Sequence, residues 1–140
     1  MNVPDIEIIQ QVIEWVSYAE DDLLLANYGL TLAEKCPYRL IAYHAQQCAE
    51  KYLKAYLIFC GIDFPYTHDI SELLELCGYT GVNWVDELQE AEELTLYATA
   101  TRYPRVSDKV SKEEAYNSIS IADRLRQVIR EELTNSGITL

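Results

Sequence analysis

The sequence has few of the residues that break, staple or metallate a chain. Five glycines and four prolines among 140 residues exclude collagen-like and low-complexity classes. Four cysteines stand at positions 36, 48, 60 and 77, so no Cys-x-x-Cys pair exists for zinc or redox chemistry. Three of them lie in apolar helical contexts and read as reduced core thiols. The longest stretch without charge, Leu23–Ala33, has 11 residues, where a bilayer span needs about 20. The first ten residues, MNVPDIEIIQ, are acidic and lack the basic start of a signal peptide. The expectation is a soluble cytoplasmic protein with no membrane association.

Positive charge is also scarce. Eleven Lys and Arg face 23 Asp and Glu, for a formal net charge of −12. Such a surface repels phosphate backbones at long range, which argues against broad non-specific binding of DNA. The deficit is uneven. Residues 1–100 hold 4 basic and 17 acidic residues, and residues 101–140 hold 7 and 6. The last 40 residues therefore present either a solvated basic face or a local anion site.

What is present is apolar and periodic. Hydrophobic residues make up 49% and aromatics 11%, enough to exclude intrinsic disorder. The length fits a single domain over residues 1–140. Five helices are predicted. The first runs from about Asp5 to Tyr28, with Ile6, Ile9, Ile13, Val16, Ala19, Leu23 and Ala26 at helical spacing. Gly29 suits its end. The second, about Pro37 to Phe59, is apolar over most of its circumference and so belongs at the centre of a bundle. One polar line interrupts it: His44, Gln47, Lys51 and Lys54. The third is short, capped by Thr67 or Asp69 and closed by Gly78. The fourth spans about Val82 to Arg102, with Trp84, Leu88, Ala91, Thr95 and Ala98 on its buried line. The fifth opens with the capping box Ser111-Lys-Glu-Glu114 and runs to about Leu133. No segment alternates with period two. The fold class expected is all-α, an antiparallel up-and-down bundle of about five helices.

Familiar catalytic patterns are missing. Neither histidine follows a glutamate by three residues, so a ferritin-like metal site is excluded, and no metal ligands are assigned. Phosphate loops, dinucleotide turns and nucleophile elbows are absent, and no cofactor is expected.

Four segments carry a resemblance instead. These are Trp15-x3-Ala19-Glu20-x-Asp22-Leu23, then Tyr38-x4-Tyr43-His44-Ala45-Gln46-Gln47-Cys48-Ala49-Glu50-Lys51-x2-Lys54-Ala55, then Gly61-x2-Phe64-Pro65-x-Thr67-His68-Asp69-Ile70, and finally Thr101-Arg102-Tyr103-Pro104. In this order they resemble the HEPN domain family over nearly the whole chain. The resemblance implies an antiparallel helical bundle that commonly forms a homodimer. It also implies frequent pairing with a minimal nucleotidyltransferase, often as a toxin–antitoxin couple. Ribonuclease members carry an Arg-x4–6-His motif near the end of the fourth helix.

Arg102 occupies the place of the motif arginine, but Ser107, Asp108 and Lys109 stand where the histidine belongs. Cleavage through the 2′-hydroxyl needs a proton acceptor near neutral pH, which these three do not supply. Arg39-x4-His44 has the motif's spacing but lies on the second helix, with the two side chains about 140° apart around it. No residue is assigned a catalytic role; Arg102 and His44 are the candidates should there be one. Phosphate or other ligand binding is expected at Arg102, Tyr103, Lys51, Lys54 and Gln47. The expected partners are a second copy of the chain, a nucleotidyltransferase, and a nucleotide or RNA end. Ribonuclease toxin activity and a purely structural association role are the alternatives.

Overall fold

The computed structural model describes residues 5–100 and 109–140, with no side-chain account of 99 and 100. The chain forms α1 (Ile6–Gly29), α2 (Tyr38–Phe59), α3 (Ile70–Gly78), a 3-10 helix (Asp86–Leu94), α4 (Thr95–Ala100) and α5 (Lys112–Asn135). No strand occurs among the described residues. The bundle is all-α, as the periodicity predicts.

Local chemistry sets the helix ends. The Asp5 side chain accepts from Glu7 N at the start of α1, and Asp69 accepts from Ser71 N at the start of α3. At α5 the expected capping box is complete: Ser111 Oγ accepts from Glu114 N at 3.0 Å, and Glu114 Oε1 accepts from Ser111 N at 3.4 Å. α2 stops at Gly61, whose φ of 70° is left-handed. Gly61 N donates to Ile58 O and Ile62 N to Leu57 O, which completes a Schellman turn. Gly29 serves a different purpose from the cap expected of it. A Cβ there would lie 2.7 Å from Ile41 Cγ1, so its missing side chain lets α1 and α2 approach.

Side-chain pairs fix the directions. Gly29 meets Ile41, Asp22 meets His44 and Lys51, and Trp15 meets Lys54, so α1 and α2 are antiparallel. Glu90 meets Arg124 and Tyr97 meets Glu114, so the 3-10 helix and α4 run antiparallel to α5. The bundle goes up, down, up, down, with α3 as a short extra turn between the second and third passes. α2 packs against every other helical element. Its Tyr52, Leu53 and Leu57 are wholly buried with Ile70, Leu73 and Leu74 of α3, Leu88 and Leu94 of the 3-10 helix, and Leu125, Ile129 and Leu133 of α5.

The third pass departs from the single α-helix expected over Val82 to Arg102. Its first nine helical residues, Asp86–Leu94, are 3-10. The reason lies in the spacing. Leu88, Ala91 and Leu94 are buried and step by three, with half-buried Val85 ahead of them. A 3-10 helix stacks residues i and i+3 on one line, whereas an α-helix would spread them around its surface. Glu87, Glu90 and Glu93 then share a line of their own. Thr95, expected on the core line, is only half buried; its hydroxyl accepts from Ile70 N at 3.0 Å and so helps cap α3.

Candidate functional site

The polar line of α2 faces α1, and α1 answers it with carboxylates. His44 Nδ1 donates to Asp22 Oδ1 at 2.8 Å, and Lys51 Nζ donates to Asp22 Oδ2 at 2.5 Å. One carboxylate thus holds two members of the line. The cluster is mostly buried but reaches solvent: the His44 and Lys51 side chains keep 24% and 23% of their surface and Asp22 keeps 11%. Asp22 holds Nδ1, and among the described residues nothing bonds the other ring nitrogen of His44.

His44 also borders a concavity of about 360 Å3 between the end of α1 and the start of α2. Its walls are mostly apolar, with Leu25, Tyr28, Leu32, Leu40 and Ile41. Several of these side chains, with Leu24, are exposed. Arg39 is exposed on the first turn of α2.

One turn further along, the chemistry is internal. Lys54 Nζ donates to Glu50 Oε2 at 3.0 Å, and both side chains are almost wholly buried. Glu50 Oε1 accepts from Gln46 Nε2 at 3.0 Å and from His68 Nδ1 at 2.8 Å. Gln47 Nε2 donates to Gln46 Oε1 at 2.7 Å. Three rings surround the ammonium: Lys54 Nζ lies 5.8 Å from the centre of Trp15, 5.7 Å from Phe64 and 5.9 Å from Tyr66. These are cation–π distances. His68 Nε2 has no hydrogen-bond partner among the described residues.

The expected ligand residues therefore separate. Lys51 stands at the surface beside Asp22. Lys54 and Gln47 are buried, where Lys54 Nζ bonds Glu50 and Gln47 Nε2 bonds Gln46. Arg102 and Tyr103 lie outside the described residues. His44 Nδ1 is bound by Asp22, and Arg39 lies exposed on the first turn of the same helix.

A third cluster escaped the sequence reading. The Tyr52 hydroxyl donates to Glu20 Oε1, and Arg126 Nε and Arg130 reach the same oxygen at 2.8 and 2.9 Å. Burial pushes the Glu20 carboxyl up, but the hydrogen bonds from Tyr52 and Arg126 and the two guanidinium charges outweigh it and hold the group below its ordinary value. Burial, then the bond to Glu20, raises the Tyr52 phenol. The visible signal was Arg126 and Arg130 one turn apart, each next to a core residue of α5.

Thiol chemistry is disfavoured at the two buried cysteines. Burial raises Cys48 well above the usual thiol range, and the Glu20 and Asp22 charges add to the effect. Burial pushes Cys77 up to about 12. Neither is a thiolate near neutral pH. Among the described residues, no three His, Cys, Asp or Glu side chains converge as a metal ion requires. No helix among them is long and apolar enough to cross a membrane.

A family model described as HEPN domain matches residues 12–132. No curated protein and no solved structure matches the chain.

Proposed function

The chain belongs to the HEPN domain family, and from that premise we propose that it is a non-nucleolytic binding module. It holds a nucleotide or an RNA end and works with a minimal nucleotidyltransferase in a two-component, toxin–antitoxin-like system. Charge placement carries this reading. Of eleven basic residues, Arg102, Arg105, Lys109 and Lys112 fall within one short stretch of an otherwise acidic chain. The stretch links α4 to α5. Arg102 pairs with phosphate, Tyr103 packs against the ligand, and Lys51 adds charge from α2. Lys54 and Gln47 support the helix from within. Position 107, 108 or 109 would need the missing base, so binding is favoured over cleavage.

Titration of nucleotides and short RNA ends against wild type and Arg102→Ala tests this. Affinity should drop at least about tenfold, the loss expected when a charged hydrogen bond to phosphate is removed. Equal affinities would remove Arg102 from the site.

Two observations support companion readings. The exposed Leu24, Leu25, Tyr28, Leu32 and Leu40 offer an apolar surface suited to a homodimer. Tyr28→Glu should then shift the protein toward monomer in light scattering. The Asp22–His44 pair provides an oriented imidazole, which favours a metal-independent ribonuclease as the second reading. Cleavage of cellular RNA by wild type, abolished in His44→Asn, would establish it.

A further inference from the structure

Two arginines one turn apart on α5 close on a single atom of α1. Arg126 Nε lies 2.8 Å and Arg130 2.9 Å from Glu20 Oε1. The Tyr52 hydroxyl donates to the same oxygen, and Arg130 also reaches the Tyr52 oxygen at 3.3 Å. Among the described residues nothing bonds Glu20 Oε2. The other carboxylate at hand is Asp123, 3.6 Å from Arg126. Each arginine side chain keeps 29% of its surface and Glu20 keeps 32%, so solvent reaches the cluster.

The donors exceed the acceptor. Two guanidiniums carry five N–H groups each, and a phenol adds another. Only three of these donors, Arg126 Nε, one Arg130 N–H and the Tyr52 hydroxyl, are received by Glu20 Oε1. A single carboxylate matches one arginine fork; two forks and a hydroxyl match a group with more oxygens and more charge. This convergence stands out in a chain of net charge −12. Two of the seven basic residues of the last 40 are thereby gathered, not spread over a solvated face.

We propose that Arg126, Arg130 and Tyr52 form a site for a dianionic tetrahedral oxyanion, inorganic phosphate or a phosphate monoester, with the Glu20 carboxylate as its resident stand-in. The ligand displaces Glu20 toward solvent, takes one fork from each arginine and accepts the Tyr52 proton donor. Burial keeps that phenol protonated, as the role requires. Glu20 sets the threshold, because the site is competent only in the fraction of molecules whose carboxylate has swung away. None of its three donor residues is among those of the proposed nucleotide site.

Thermal unfolding in a phosphate series, against chloride at matched ionic strength, tests the idea. Phosphate should bind Glu20→Ala at least about tenfold more tightly than wild type, because the competing carboxylate is gone. Glu20→Gln, which keeps an acceptor for Tyr52, should fall between them. Adding Arg130→Gln to Glu20→Ala should abolish the gain. A phosphate response equal in wild type and both Glu20 variants overturns the proposal, as does a gain that survives loss of Arg130. Should the Glu20 variants fold only in phosphate, the proposal stands; should they fail to fold with or without it, the cluster is a structural ion pair only. Methyl phosphate run beside inorganic phosphate distinguishes a monoester from the free ion.

Discussion

Lys51 and Lys54 sit one turn apart on the same line of α2, yet the molecule treats them as opposites. Lys51 lies at the surface beside Asp22, a pair that water partly screens. Lys54 is buried against Glu50 and ringed by Trp15, Phe64 and Tyr66. The difference is which part of α1 and which loop lie opposite. Asp22 projects from the middle of α1. Trp15, two turns earlier, and the residues after α2 close over Lys54. A charge can thus be functional material or structural material depending on what the next element lays over it, not on its own position in a pattern.

The largest effect should come from the buried side. Glu50→Ala leaves the Lys54 ammonium desolvated and unpaired, and should cost about 3–5 kcal/mol in urea unfolding. A loss no greater than that of a surface variant would mean that Lys54 escapes to water and the two lysines are alike. Asp22→Asn removes the charge shared by Lys51 and His44 but leaves both near solvent. It should cost about 1–2 kcal/mol. Reversal of the two costs would invert the comparison.

Glu20 sharpens the contrast through pH. Its folded value lies below its ordinary 4.5. Its contribution is therefore complete above pH 4.5 and is lost as pH falls through the folded value. Stability of wild type and Glu20→Gln, measured from pH 6 downward, should converge in that acidic window. A constant gap would show that Glu20 is not held ionised by its arginines. The smallest effect belongs to Arg124 and Glu90, 2.5 Å apart with side chains 60% and 42% exposed. Arg124→Ala should change stability by under about 1 kcal/mol, and by less at high salt.

The helices were legible because each carries its own pattern. The stripe of α2, the Asp69 cap and the Ser111 capping box are local, and no neighbour is needed to read them. The 3-10 helix was misread because Leu88 and Ala91 fit a step of three and a mixed step of three and four equally well. Leu94 decides between them, and the expectation passed over it for Thr95. The polar line of α2 was legible as a line. Its partners were not, because a carboxylate such as Asp22 or Glu20 on an acidic helix looks solvated until the facing helix is known. The Glu50–Lys54 spacing was visible as well, but the spacing of an exposed pair and of a buried pair is the same. The HEPN family was legible in four ordered segments, none of which would have sufficed alone.

The third pass also works as a measuring rod. Nine residues of 3-10 helix reach about 18 Å, whereas the same nine in an α-helix would reach about 13.5 Å. The extra length, about 4.5 Å or three residues of α-helical rise, carries α4 further along the bundle. The rod has a thread of three. Removing one residue from Asp86–Leu94 would turn everything beyond it by about a third of a circle and draw it back by about 2 Å. Reach and bearing of α4 are thus set together by the count of residues in an acidic helix that bears no candidate ligand residue.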